Sequence, residues 1–98
     1  MDRDEALKLL NAQLEDYRKL SHAEAAARIG SEEVVEVTGP SGTAYQIEIQ
    51  IIWDGSPGGD VRVLAAIDDG GWRAFLPLTS DLIITRDAIG PVGDNELR

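Results

Sequence analysis

Residues 45–53 read Tyr45-Gln46-Ile47-Glu48-Ile49-Gln50-Ile51-Ile52-Trp53, with apolar side chains on every odd position. A period of two puts Tyr45, Ile47, Ile49, Ile51 and Trp53 on one face of a β-strand, and Gln46, Glu48 and Gln50 on the other. Working downstream, Asp54-Gly55-Ser56-Pro57-Gly58-Gly59-Asp60 is a loop that nothing in the apolar pattern orders. The next apolar stretches, Val61–Asp68 and Gly71–Leu76, flank Asp69-Gly70, a strong short signal for a tight hairpin.

These two turns predict a register. With Trp53 and Val61 flanking the first loop, Ile51 meets Val63, Ile49 meets Ala65 and Ile47 meets Ile67. With Asp69 and Gly70 as a two-residue turn, Ile67 meets Trp72, Ala65 meets Ala74 and Val63 meets Leu76. All these side chains then share one face, and a slip of one residue would send half of them into water. Upstream, Val34, Val35, Val37 and Thr38 mark a further strand, ended by the turn Gly39-Pro40-Ser41-Gly42. Leu82, Ile83 and Ile84 predict a short fifth strand.

The N-terminal third is helical. Asp2 with Glu5 resembles a capping box, and Leu7, Leu10, Leu14 and Tyr17, widened by Ala6, Leu9 and Leu20, form one apolar stripe. Ser21 with Glu24 repeats the start signal ahead of Ala23, Ala25, Ala26, Ala27 and Ile29, and Gly30 is placed to end that segment. Residues 2–28 form either two helices or one continuous helix. The expected fold is therefore α+β, with one or two N-terminal helices on one face of a four- to five-stranded antiparallel β-meander. The domain spans 1–86, and the Gly-, Pro- and Asp-rich residues 87–98 read as a mobile tail.

Composition narrows the function by exclusion. Net charge is −9, and it is uneven: residues 1–29 hold six acids and five bases, residues 30–98 twelve acids and four bases. A surface of that sign repels phosphate backbones, which argues against nucleic-acid and anionic-membrane partners. No apolar run approaches the roughly 18 residues of a membrane span. Zero cysteines exclude disulfides and thiolate metal sites and fit a cytoplasmic location. His22, the single histidine, reads as an exposed residue near a helix start, since a triad or metal centre needs further partners. The glycines of 54–60 match neither a phosphate-binding loop nor an EF-hand. No catalytic residue, metal ligand or cofactor is predicted, and the chain is expected not to be an enzyme.

Two candidate sites remain. Glu48, Gln50, Leu64, Arg73 and Phe75 fall on the sheet face away from the helix, where an arginine and an aromatic beside apolar residues suit a protein interface. The alternative to an interface there is a plain solvated face. Tyr45, Trp53 and Trp72 are candidates for lining a small-ligand pocket between helix and sheet, against simple core packing. The favoured function is a protein-interaction or regulatory module with an acidic surface, for instance an immunity-type inhibitor. Its expected partner is a basic protein or a second copy of itself. The second reading is a small-ligand-binding domain.

The segments Val37–Gln46, Trp53-Asp54, Ile67–Trp72 and Phe75–Leu78 resemble those of a group of small uncharacterised bacterial proteins of similar size, with a leading helical segment and an antiparallel sheet. The likeness spans residues 18–86. It implies a bacterial, cytoplasmic protein and brings with it no activity and no functional residue.

Overall fold

The computed structural model describes residues 2–70 and 77–86. Two helices precede four strands: α1 (Arg3–Arg18), α2 (His22–Ala26), β1 (Glu32–Thr38), β2 (Ala44–Trp53), β3 (Val61–Asp68) and β4 (Leu78–Ile84). The strands form one antiparallel sheet in the order β1-β2-β3-β4. This is the expected α+β meander, with two helices and four strands among the described residues.

Helix α1 starts where Asp2 accepts the Glu5 amide at 3.1 Å. Only that half of the predicted capping box forms, because the Glu5 carboxylate is engaged elsewhere. The helix buries Ala6, Leu10, Leu14 and Tyr17 at spacings of four and three, while Leu7 is only half-buried. Ser21 then starts α2 with a complete box: its hydroxyl accepts from the Glu24 amide at 3.0 Å, and Glu24 accepts from the Ser21 amide at 2.8 Å. These contacts hold the Glu24 carboxyl below its ordinary pKa range. After α2 the chain turns at Gly30, whose φ of +89° suits glycine and whose amide donates to the Ile51 carbonyl at 2.9 Å.

The β2–β3 register is as predicted: Ile47↔Ile67, Ile49↔Ala65, Ile51↔Val63 and Trp53↔Val61. Tyr45, Ile47, Ile49, Ile51, Val61, Val63, Ala65 and Ile67 are all buried beneath α1, which lies over β3 and β4. Each large aliphatic side chain among them contributes roughly 1.5–3 kcal/mol by leaving water.

The second predicted hairpin is corrected. Opposite Ile67, Ala65 and Val63 stand Leu78, Ser80 and Leu82, not Trp72, Ala74 and Leu76. The turn signal at Asp69-Gly70 is real: Gly70 has φ +76° and its amide donates to Asp68 Oδ1 at 2.8 Å. That side-chain bond makes Asp68 the first residue of an Asx turn, and the strand paired with β3 is Leu78–Ile84. Pro77 lacks an N–H, which suits the position just ahead of a strand. Leu82 and Ile84, expected in a short fifth strand, belong to β4 and fill the core beside Val63 and Val61. The predicted strand Gly71–Leu76 and the predicted tail 87–98 lie outside the described residues.

Candidate interaction face

Because both helices sit on the odd-residue face of β2 and β3, the even residues look outward. Strand pairing arranges them in rows: Ile52–Arg62–Ile83, Glu32–Gln50–Leu64–Asp81, Val34–Glu48–Ala66–Thr79 and Glu36–Gln46–Asp68. Among the described residues, this outer face carries Glu32, Glu36, Glu48, Asp68 and Asp81 against one cation, Arg62. The large apolar side chains most open to solvent also fall here: Val34 is 56% exposed, Ile52 and Ile83 39% each. Leu64, half-buried, lies between the rows of Ile52 and Val34.

Arg62 is already committed. Its Nε and Nη2 donate to Asp54 Oδ1 at 3.1 and 2.8 Å, and its Nη1 donates to Asp81. The Asp54 bond, followed by the charges of Asp54 and Asp81, raises the guanidinium pKa further. With Arg62 tied to two carboxylates, the described residues of the face present net negative charge around a discontinuous apolar surface. Gln50 also bonds Glu32 across β1 and β2 at 3.1 Å, fixing that row.

Of the predicted interface residues, Glu48, Gln50 and Leu64 come together on this face, with Gln50 directly opposite Leu64. Arg73 and Phe75 lie outside the described residues. Their expected places beside Ala66 and Leu64 are taken by Thr79 and Asp81 of β4. The predicted ligand-pocket residues are not brought together. Tyr45 and Trp53 stand at opposite ends of β2, about 26 Å apart at the usual rise per residue, and Trp72 lies outside the described residues.

Each of those two residues has a different task. The Tyr45 hydroxyl donates to Glu5 Oε1 at 2.7 Å, and the same carboxylate accepts from the Ser41 amide (2.9 Å) and hydroxyl (2.7 Å). Glu5 thereby ties the start of α1 to the β1–β2 turn, and its carboxyl is held below the usual range by these bonds, Tyr45's first. The Tyr45 phenol is in turn pushed up to about 12 by that hydrogen bond and by burial. At the other end, Trp53 is half-buried under the His22 ring, centroids 6.4 Å apart. His22, predicted exposed, is half-buried, and its Nε2 lies 2.7 Å from the Gly59 carbonyl. The loop that the apolar pattern left unordered is thus held by polar contacts, including Asp54 N–H to the Asp60 carbonyl at 2.8 Å.

A hollow of about 510 Å³ between the α1–α2 corner and β4 is lined by none of the predicted site residues among those described. Among the described residues no cluster of His, Asp and Glu is arranged to hold a metal ion, and no helix is long and apolar enough to cross a membrane. Sequence reasoning missed the Arg62 clamp and the Glu5 tie. The β2–β3 register did place Arg62 opposite Ile52, but its acidic partners come from a loop base and from β4, whose pairing was not foreseen. Comparison with protein-family models, curated proteins and solved structures finds no match for the chain.

Proposed function

We propose that the protein is a non-enzymatic interaction module whose working surface is the outer sheet face, and that its partner is a basic protein. The observation that carries this reading is the coincidence, on one face, of five carboxylates with the most exposed large apolar side chains. Apolar side chains supply contact area, and the acids steer a cationic surface toward it. Glu48 and Gln50 sit at the centre of this surface, with Leu64 as the neighbouring apolar contact. An immunity-type inhibitor of a basic toxin is one form such a module takes. The two ends of β2 are occupied by separate structural contacts, so the ligand-pocket reading has no observation in its favour.

The test uses the full chain as bait at low and high salt, beside the double variant Glu36→Lys/Glu48→Lys. The expected result is a basic partner retained by the native chain, released by salt and lost from the folded variant. Retention that ignores both salt and charge reversal, or no retained partner, would overturn the proposal.

A further inference from the structure

The two edges of the sheet are unlike. Among the described residues, β1 and β4 each have a neighbour on one side only. β1 carries Glu32, Glu33 and Glu36 in seven residues. Two such edges brought together would set glutamates against one another, a common device against edge-to-edge pairing. β4 reads Leu78-Thr79-Ser80-Asp81-Leu82-Ile83-Ile84, with no lysine, no proline and one acid. That acid, Asp81, is held by Arg62 on the neighbouring strand. Among the described residues, β4 is an unguarded edge.

The hollow of about 510 Å³ runs beside it, lined on one wall by Leu82, Ile83, Ile84 and Thr85 in succession. Successive strand residues point to opposite faces, so a hollow touching four in a row follows the backbone edge, not a face of the sheet. Its other wall is the α1–α2 corner, including Leu20 and His22. A slot of this form admits another extended strand.

We infer that the occupant is β4 of a second copy, paired antiparallel about a two-fold axis at Leu82 to make a continuous eight-stranded sheet. The sequence is self-complementary in that register. Leu82 meets its own counterpart and Ser80 meets Ile84 on the helix side; Asp81 meets Ile83 and Thr79 meets Thr85 on the outer side. No like charges face each other. A register shifted to centre on Asp81 would oppose two carboxylates at the axis. The inference does not depend on the basic-partner reading, and salt separates them. Two chains of net charge −9 associate more tightly as salt rises, whereas an acidic face releases a basic partner.

Sedimentation velocity of the full chain tests this, with Ile83→Glu and Ile83→Lys as variants at a surface position whose folding circular dichroism checks. The native chain is expected to dimerise reversibly, more so at high salt. Ile83→Glu places an acid opposite Asp81 twice by symmetry and should weaken the dimer about three- to tenfold, while Ile83→Lys should match or exceed the native chain. A native chain that stays monomeric at roughly 0.5 mM in high salt overturns the inference. So does a dimer that responds equally to both variants.

Discussion

The two faces of the sheet share one backbone and differ in what their side chains are asked to do. On the helix side, Ile47, Ile49, Val63 and Ile67 are at most 1% exposed, whereas Ile52 and Ile83, one residue off in phase, are 39% exposed on the other. Stability should therefore be concentrated on one face and association on the other. The sharpest way to break this contrast is a matched truncation on opposite faces of β2. Ile49→Ala removes a side chain closed in on all sides and should cost about 2–5 kcal/mol in chemical denaturation. Ile52→Ala, three residues along on the outer face, should fall within about 1 kcal/mol of the native chain. Equal losses would mean that the outer face is also core.

That contrast was legible in the sequence because it rests on a period of two sustained over nine residues and checked by a second strand. A slip of one residue between Val61–Ile67 and Tyr45–Trp53 would have exposed half the set. The β3–β4 pairing was not legible for the converse reason. Asp69-Gly70 announces a turn, and the apolar Trp72, Ala74 and Leu76 satisfy the inward face as well as Leu78, Ser80, Leu82 and Ile84 do. Periodicity alone cannot separate the two. The turn signal is honoured locally, where the Asp68 carboxylate bonds the Gly70 amide, but β3 pairs with Leu78–Ile84. The polar ties were hidden for a different reason. Glu5 looks like half of a capping box and His22 like a helix-surface residue until the β1–β2 turn and the 54–60 loop come near them in space.

Those ties make the helix-bearing face sensitive to pH. Tyr17 is buried and donates to Glu33 of β1; burial first, then that bond and the Glu33 charge, push its phenol up to about 12. Tyr45 reaches the same value through Glu5. Both lie above the roughly 10 of an unfolded tyrosine, so their contribution is complete below pH 10 and drains as pH rises from about 10 to 12. Alkaline melts should show this decline, and Tyr17→Phe/Tyr45→Phe should flatten it while lowering stability at neutral pH. The Glu5 carboxyl works in the opposite sense. Its folded pKa is depressed, so its contribution is present above the ordinary carboxylate pKa and lost as pH falls through the depressed one. Glu5→Gln should make the acid limb of the stability profile shallower.

A smaller effect probes the same tie from the turn. Gly39 is buried, and a Cβ there would lie 2.6 Å from the Glu5 carboxylate carbon. The carboxylate is the free end of a flexible side chain and can swing away, but only by giving up Ser41 and Tyr45. Gly39→Ala should thus lower Tm by a few degrees, and in the Glu5→Gln background the loss should shrink, since the two substitutions act on one set of contacts.

The least change in stability is expected at the outer face, where it separates the two roles most cleanly. Arg62 is clamped by Asp54 and Asp81, all three about a third or more exposed. Exposed pairs of this kind add little to folding, so Arg62→Met should leave Tm nearly unchanged. It would, however, free two carboxylates and take net charge from −9 to −10, strengthening the field that a cationic partner meets. The proposed basic partner should then associate faster, with a steeper salt dependence, on a chain that melts as before. Slower association would mean that Arg62 itself touches the partner, and the acids would no longer suffice to account for binding.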